Sequence, residues 1–420
     1  MKLRERLERV ASKIGPGFIT GAADNDPSGI ATYTMVGAQF GLGQLWTSGI
    51  TLPFMIAVQE MSARIAMAAG EGITAVLKRH YARWIVLVFT ALLLAANIFN
   101  IGADLGAMAD AAKLLLPSIP FALWAIFFAV LIVVLEIILT YRVYARVLKW
   151  LTLSLLSYIA VAAIVTTEWR PVLQSLLTPH IILSHDGLAA LVAIIGTTIS
   201  PYLFLWQSEE EVEEEIAHGR GTIKKRRGIS HAELTEMRED TVIGMTFSQL
   251  ITFFIMTTAV MTFFRHGITV IHSTSEAARA LEPLAGAYAE MLFAIGIIGT
   301  GLLAVPVLSA SASYAIAEVF GWKHHSLSEP FQRAHAFYAA IIVSTFLGLL
   351  LNAFGLDPLR ALFWTAIANG VASPLIILMM MAAANNPKIM GSCTNSTTSN
   401  ILCGFTAIGT AVAAIALFVV

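Results

Sequence analysis

The sequence predicts an all-α, polytopic membrane protein with eleven transmembrane helices, of which helices 1 and 6 are discontinuous. Of its 420 residues, 57% are hydrophobic and only 13% are charged, and the mean hydropathy is +0.76. Because soluble domains carry about 25% charged residues, the composition alone indicates a membrane protein. Two further observations give the architecture: a series of apolar stretches of spanning length, and a proline-containing break within two of them.

The apolar stretches define the spans in order along the chain. Each has the roughly 17 to 25 apolar residues that a membrane-spanning helix needs, or more if the helix is tilted. We take residues 1–420 as a single transmembrane domain. The predicted spans are 13–38, 44–68, 83–112, 120–140, 147–167, 186–208, 239–264, 286–318, 333–353, 358–383 and 400–420.

Basic residues predict the orientation, because Lys and Arg in short connections favour the cytoplasmic side. They cluster before span 1 and after spans 2, 4, 6 and 8, so we place the N-terminus in the cytoplasm and the C-terminus outside. The first twelve residues are charged and amphipathic, and we expect no cleaved signal peptide. The clustered residues are Lys2, Arg4, Arg6, Arg9, Lys13, Lys78, Arg79, Arg83, Arg142, Arg146, Lys149, Arg220, Lys224, Lys225, Arg226, Arg227 and Lys323.

The first break lies in span 1, where Asp26, Pro27, Ser28 and Gly29 interrupt the apolar run ITGAADNDPSGIATYTMV. A carboxylate near the bilayer centre is costly, and a proline there frees backbone carbonyls that lipid cannot satisfy. The break therefore needs a polar cavity, in which Asp26 is a candidate cation ligand. Alternatively, Asp26 caps the second half of the span by accepting backbone N–H groups, and the two roles can coexist.

The second break lies in span 6, where Ser200 and Pro201 interrupt LVAIIGTTISPYLFLW. Each broken span opens a set of five, spans 1 to 5 and 6 to 10. Because five is odd, the two sets have opposite orientations, as in inverted-repeat transporters with a midplane site between discontinuous helices. We expect repeats at 1–170 and 183–385, with an extra helix 11 at 400–420.

Three runs, GPGFITGAADNDPSG, QEMSARI and GTTISPYLFLWQS, resemble the natural-resistance-associated macrophage protein (NRAMP) superfamily of divalent-metal transporters. The resemblance implies the inverted-repeat, LeuT-type fold that the bacterial amino-acid/sodium symporters share. It also implies divalent metal ions and the lipid bilayer as partners, with no resident cofactor. The expected location is the plasma membrane of a prokaryote.

The sequence departs from the common family pattern at both breaks. The common family reads Asp-Pro-Gly-Asn in helix 1 and Met-Pro-His in helix 6, whereas this chain has Gly29 for the Asn, Ser200 for the Met and Tyr202 for the His. A thioether suits transition metals, but carboxylates, carbonyls and water suit Mg²⁺, Ca²⁺ and Mn²⁺. The altered pattern resembles the prokaryotic NRAMP-related magnesium transporter (NRMT) branch.

The resemblance also implies a ligand set. Asp26 would be the inner carboxylate, and the backbone carbonyl of Thr197 would be a second oxygen donor. Small side chains would leave room for a partly hydrated ion, as Mg²⁺ sheds water reluctantly. For the hydroxyl groups at the second break, hydrogen bonding to helix backbone is an equal alternative. The residues expected to line the cavity are Ser28, Gly29, Thr198 and Ser200.

Span 3 carries a second polar line, in which Asn97, Asn100 and Asp104 share one helix face. We expect them to face the pathway, together with Tyr202, although hydrogen bonding between helices is an equal alternative for the two asparagines. The common family has an Asp-x-x-Glu used in proton movement here. Asp104 matches the Asp, but Ala107 replaces the Glu, so the proton route is predicted to be lost.

Other charged residues allow more ordinary interpretations. Glu60 and Arg64, one turn apart, are predicted to pair, and Glu136 is also expected to be structural. A glutamate run ends span 6, where Glu209, Glu210 and Glu213 could concentrate cations at a cytoplasmic exit or sense their level. The favoured interpretation of the run is a solvated helix end that the following basic cluster balances. The full run is Glu209, Glu210, Glu211, Glu213, Glu214 and Glu215.

We therefore predict a uniporter that takes up Mg²⁺ and also Mn²⁺ by alternating access, driven by the concentration gradient and membrane potential without protons. The first alternative is a proton-coupled Mn²⁺/Fe²⁺ transporter using Asp104 or Arg333, and less favoured ones are an organic-solute symporter and a non-transporting metal sensor. We find no nucleophile triad, phosphate-binding loop or nucleic-acid-binding stripe. We thus expect a monomer that is not an enzyme and binds no nucleic acid.

Overall fold

The described residues of the computed structural model, 15–139 and 155–419, form helices joined by turns, and none of them is in a β-strand. Proline or glycine ends many of these helices, since proline cannot continue a helix and glycine readily takes the positive φ of a helix C-terminus. The helices of the first half are α1 (Pro16–Ala23), α2 (Pro27–Phe40), α3 (Trp46–Ala69), α4 (Ile73–His80), α5 (Arg83–Leu115), α6 (Phe121–Ile138), α7 (Leu156–Val165) and α8 (Trp169–Ser175).

The second half of the chain repeats the use of long apolar helices separated by short ones. Its first long helix is again broken by a proline. The helices are α9 (His185–Thr198), α10 (Pro201–Ala217), α11 (Ile223–Arg226), α12 (His231–Thr262), α13 (Thr274–Ala278), α14 (Glu282–Ala285), α15 (Ala289–Phe320), α16 (His335–Leu351), α17 (Pro358–Ala384), α18 (Pro387–Met390) and α19 (Thr397–Val419).

The predicted spans outside 147–167 overlap these helices, and the largest differences are at α10, which ends at Ala217 rather than at 208, and at α12, which begins at His231 rather than at 239. Span 147–167 lies partly outside the described residues, and its described part contains α7. Among the described residues, eight helices are long and apolar enough to cross a membrane, or nine if the pair Pro27–Gln44 and Trp46–Ala69, bent by 102°, is counted. The count of eleven, the repeat boundaries and the orientation stay predictions.

Several basic residues used for the orientation lie outside the described residues. These are Lys2, Arg4, Arg6, Arg9, Lys13, Arg142, Arg146 and Lys149.

Both predicted helix breaks are confirmed. Helix α1 ends at Ala23 and α2 begins at Pro27, while α9 ends at Thr198 and α10 begins at Pro201. In each case a proline occupies the first position of the second helix, where its missing N–H and fixed φ fit a helix start. The two breaks are therefore properties of the local sequence.

Glycine contacts fix the helix that precedes each break against an unbroken neighbour. A Cβ atom at Gly21 of α1 would collide with the backbone of Gly244 in α12, and one at Gly196 of α9 would collide with the backbone of Gly370 in α17. The start of α1 is also held, because the Asp240 carboxylate of α12 accepts N–H groups from Gly15 at 3.0 Å and from α1 itself. Close packing thus fixes the two half-helices that lead into the breaks.

Candidate cation site

Asp26 lies buried at the first break, with 2% of its surface exposed. It is the N-cap of α2, and its Oδ1 accepts the backbone N–H of Gly29 at 2.6 Å. Its Oδ2 lies 3.3 Å from the Tyr202 hydroxyl, which can donate either to this atom or to the Ala23 carbonyl at 3.3 Å. The capping interpretation is therefore confirmed, and one carboxylate oxygen faces the second break.

The second break supplies neutral oxygen atoms. The Ser200 hydroxyl can donate to the carbonyl of Gly196 or of Thr197, each at 2.8 Å, which confirms the backbone interpretation for this residue. A carbonyl oxygen has two lone pairs, so that of Thr197 keeps one free for another partner. The Thr197 hydroxyl is buried and makes no hydrogen bond to any described residue.

The two breaks approach each other at Gly29. A Cβ atom there would lie 3.2 Å from the Thr197 hydroxyl oxygen, so only a small residue fits without a shift. The Thr198 hydroxyl lies 3.1 Å from that of Tyr33 in α2, and the Ser28 hydroxyl donates to the Leu362 carbonyl of α17 at 3.3 Å. The predicted lining residues thus lie on facing elements, although Ser28 is turned toward α17.

The polar line of span 3 lies on α5 and is buried. Asn97 donates to the Leu308 carbonyl of α15 at 3.0 Å, as the alternative interpretation expected. Asn100 and Asp104 receive no hydrogen bond from the described residues, and Asp104 lies close enough to Asp26 for their charges to interact. Asp104 is therefore the member of this line placed toward the site.

Sequence reasoning missed two residues of the first break, Asp24 and Asn25. Both are fully buried, and both contact Ser248 of α12, whose hydroxyl donates to the Asp24 carboxylate while the Asn25 amide donates to it at 3.2 Å. The charge of Asp24 also interacts with that of Asp26. The available signal was a second carboxylate only two residues before Asp26 in an otherwise apolar run.

The arrangement concentrates acidic groups without a basic partner. Asp24, Asp26 and Asp104 are all buried, and none forms an ion pair with Lys, Arg or His within the described parts of the chain. In those parts, no three His, Cys, Asp or Glu side chains are placed to hold one metal ion. A cation here would be bound by one or two carboxylates together with neutral oxygen atoms and water.

The interpretation of the glutamate run as a solvated helix end is wrong. Five of its six members are buried, and only Glu214 is exposed, because other helices surround the last turns of α10. Of the three predicted exit residues, Glu209 and Glu213 line a cavity of about 820 Å³. Glu210 is also buried, but it does not line this cavity.

The pair of Glu60 and Arg64 is confirmed. Arg64 Nε lies 3.2 Å from Glu60 Oε1, which Arg238 Nε also approaches to 2.9 Å. Glu136 is buried and accepts a hydrogen bond from Ser309 at 2.9 Å. These residues join helices and lie outside the two breaks.

The fold and this site define a multi-pass membrane protein in which two discontinuous helices meet around a buried carboxylate. Residues 17–420 match the family model described as natural resistance-associated macrophage protein-like. Since this match spans nearly the whole chain, the protein belongs to the Nramp family.

Individual relatives agree with this assignment. The chain is 26% identical over 407 residues, covering 94% of itself and 92% of the relative, to a divalent metal cation transporter MntH of Klebsiella pneumoniae (strain 342). A solved manganese transporter of Eremococcus coleocola, bound to an aromatic bis-isothiourea compound, matches with a TM-score of 0.72, 17% identity, and coverage of 96% of this chain and 85% of that one. MHP1, a nucleobase-cation-symport-1 family transporter, matches with a TM-score of 0.60, 13% identity, and coverage of 97% and 91%. The predicted fold class is confirmed by these structures.

Proposed function

We propose that this protein carries divalent metal ions across the plasma membrane of a prokaryote, taking up Mg²⁺ in partly hydrated form and also Mn²⁺. The observation that carries the proposal is the meeting of two helix breaks around Asp26, where Tyr202 links the carboxylate to the second break. The solved manganese transporter and the relatives named divalent metal cation transporters support the transport of such ions.

The donor atoms favour a hard cation. The side chains placed at the two breaks offer carboxylate and hydroxyl oxygens, and the sequence gives them neither a sulfur atom nor an imidazole. Such oxygen donors suit Mg²⁺ and Mn²⁺. A site with one or two carboxylates and space for water also matches the reluctance of Mg²⁺ to lose its hydration shell. The residues meant are Asp26, Ser28, Thr197, Thr198, Ser200 and Tyr202.

A divalent ion would also relieve an electrostatic conflict. The negative charges of Asp24 and Asp104 both interact with that of Asp26, and buried like charges repel strongly unless a cation or proton compensates them. An ion bound at Asp26 would supply two positive charges in this low-dielectric region. We therefore assign Asp24 and Asp104 a supporting role in attracting the ion.

The proposed transport needs no proton gradient. Tyr202 and Ala107 stand where the common family has a His and a Glu, so two groups of the proton route are absent. A divalent ion moving through 100 mV gains about 4.6 kcal/mol, twice the roughly 2.3 kcal/mol of a single charge. At about 1.4 kcal/mol per tenfold, the potential alone supports an accumulation above a thousandfold.

The test is a flux measurement on the full chain in proteoliposomes that contain a Mg²⁺-sensitive dye, with a pH dye in parallel. Under a potassium–valinomycin potential, negative inside, we expect Mg²⁺ entry without proton movement. Asp26→Asn should abolish this entry, whereas Asp186→Asn, which changes an exposed aspartate in the same way, should not. Entry of Mg²⁺ into Asp26→Asn vesicles at the wild-type rate would contradict the proposal.

The second candidate is the ordinary proton-coupled Mn²⁺/Fe²⁺ transporter. It is favoured by one observation, that Asp104 is buried and its carboxylate makes no hydrogen bond to a described residue. In the same vesicles this candidate predicts Mn²⁺ entry with internal acidification, no Mg²⁺ entry, and loss of acidification in Asp104→Asn. Membership of the NRMT branch is supported only if Mg²⁺ enters.

A further inference from the structure

We infer that Glu209 and Glu318 form a second binding station for the same divalent cation, in the cavity on the predicted cytoplasmic side of the Asp26 site. This inference rests on the proposed function and adds a second subsite to its pathway. The station lies where α10 and α15 meet the start of α4.

Two carboxyl groups converge in this cavity. Glu209 is 3% exposed and Glu318 is 6% exposed, yet both line the cavity of about 820 Å³. A Cβ atom at Gly72 would lie 2.6 Å from Glu318 Oε1 and would also collide with Glu209 Oε1, so both oxygens press against the same glycine. The carboxyl groups are within hydrogen-bonding reach of each other.

The protein leaves this pair incompletely satisfied. Glu318 Oε2 accepts the Ala75 N–H at 2.9 Å. By contrast, Glu209 Oε1 is buried without a hydrogen bond from any described residue, and no described Lys, Arg or His forms an ion pair with either carboxylate. Two adjacent carboxylates cannot both stay ionised unless something positive lies between them. Glu209 thus combines a place in the cavity wall with a buried, unpartnered oxygen, and a cation held between the two carboxyl groups would supply the missing positive charge.

The basic residues around the cavity are engaged elsewhere. Arg79 pairs with Glu71 at 2.6 Å, Lys78 donates to the Glu318 backbone carbonyl at 3.0 Å, and Arg226 donates to the Gly70 carbonyl at 3.0 Å.

Two further basic residues line the cavity. Lys323 is exposed. Burial lowers the pKa of His325 below its ordinary value of 6.5, so this imidazole is neutral at neutral pH. No described basic residue of the cavity therefore forms an ion pair with the carboxyl pair, and Arg226 acts on Glu209 only through a longer-range charge interaction.

Polar groups of α10 and α15 lie between the two stations. Along α10, Tyr202 and Glu209 are seven residues apart and therefore share a face, with about 10 Å between them along the helix axis. Glu213 follows one turn later and accepts the Tyr314 hydroxyl of α15 at 2.9 Å. Closer to the Asp26 site, Ser311 of α15 donates to the Tyr202 carbonyl at 3.3 Å. Polar groups of α10 and α15 thus recur between the Asp26 site and the cavity, among apolar side chains such as Leu203 and Leu308.

The station suits a hydrated divalent ion. No three acidic, His or Cys side chains of the described residues are placed to hold one metal ion, so the station offers two carboxylates and space for water. This matches Mg²⁺, which binds through one or two carboxylates and keeps several waters, whereas Ca²⁺ takes six to eight oxygen ligands. We expect Mg²⁺ and Mn²⁺ to bind and to compete with each other.

The test counts Mn²⁺ ions bound to the purified full chain in detergent, using the six-line electron paramagnetic resonance signal of free Mn²⁺. We expect two competable ions per wild-type chain, one in Glu209→Gln, one in Glu318→Gln, one in Asp26→Asn, and none in Asp26→Asn/Glu209→Gln. Glu214→Gln is the matched control, because Glu214 is the exposed member of the same run, and it should keep two ions.

The outcomes separate this inference from the proposed function. One ion in the wild type, lost in Asp26→Asn and kept in Glu209→Gln, would overturn the second station and leave the central site standing. One ion in the wild type that is lost only in the glutamate variants would support the second station and overturn the central site at Asp26. Two ions in both glutamate variants would show that the pair shares a proton instead of a metal ion. Variants on two different helices, each checked by gel filtration, guard against a folding defect.

Discussion

The two helix breaks are built from the same device but carry different chemistry. Both restart their helix at a proline, Pro27 and Pro201. In the first break Asp26 caps the new helix, while in the second break the hydroxyl of the N-cap Ser200 turns back to the carbonyls of the preceding helix. The first break thus holds charge and the second holds neutral oxygen. Under the proposed function, attraction of a cation and discrimination between cations would fall to different helices.

The largest expected effect comes from Asp26→Asn. Asn caps a helix about as well as Asp, so we expect the thermal midpoint to stay near that of the wild type. Mg²⁺ binding should fall by more than the roughly 10- to 100-fold typical of losing an outer partner of a metal ligand. Isothermal titration with Mg²⁺ checks this, and wild-type affinity with an unchanged midpoint would show that the aspartate is only a cap.

The next effect concerns Asp24, which tests whether the first break acts through its total charge. Asp24→Asn keeps a side chain that can accept the Ser248 hydroxyl but removes a buried negative charge. We expect Mg²⁺ affinity to fall on the order of tenfold through the lost Coulomb attraction. The same substitution at exposed Asp357 should leave affinity unchanged. If both substitutions change Mg²⁺ affinity equally and only slightly, Asp26 alone provides the charge that attracts the ion.

A smaller effect is expected for Tyr202→Phe, which removes the hydroxyl that joins the two breaks. The ring and its packing are retained, so Mg²⁺ affinity should fall only severalfold, in the lower part of the range for outer partners of a metal ligand. Dye-based flux at several Mg²⁺ concentrations would reveal this as a raised half-saturation concentration. A complete loss of flux would place Tyr202 among the direct ligands.

Ser200→Met is expected to change the overall affinity for divalent cations least. It should instead change the preference between Mn²⁺ and Mg²⁺. A thioether adds a soft donor that favours Mn²⁺ over Mg²⁺. We expect the ratio of Mn²⁺ to Mg²⁺ flux to rise severalfold, with Thr198→Val as a control that removes a nearby hydroxyl without adding sulfur. An unchanged ratio would show that the second break does not set the preference between Mn²⁺ and Mg²⁺.

The breaks could be predicted from the sequence because their cause is local. Pro27 and Pro201 in apolar runs, and the carboxylate of Asp26, leave few alternatives in a membrane. The backbone bonding of Ser200 was likewise one of two local options. These features need no knowledge of which helices are neighbours.

The burial of the glutamate run could not be predicted in this way. Six glutamates in two turns are typical of a solvated helix, and only the packing of α4 and α15 around α10 places Glu209 and Glu213 in a cavity. Asp24 was missed for a related reason, because its partner Ser248 lies more than two hundred residues away on α12. Long-range packing, which the pattern of one segment does not encode, decided both cases.

The single hydroxyl of Tyr202 lies 3.3 Å from two acceptors, the Asp26 carboxylate and the Ala23 carbonyl. A buried donor left without a partner costs about 1 to 3 kcal/mol. If a cation binds this carboxylate as proposed, the hydroxyl would keep the Ala23 carbonyl as its acceptor, and no buried donor would lose its partner. The empty and the loaded protein would then differ little in internal hydrogen bonding, a condition under which capture and release can both be fast.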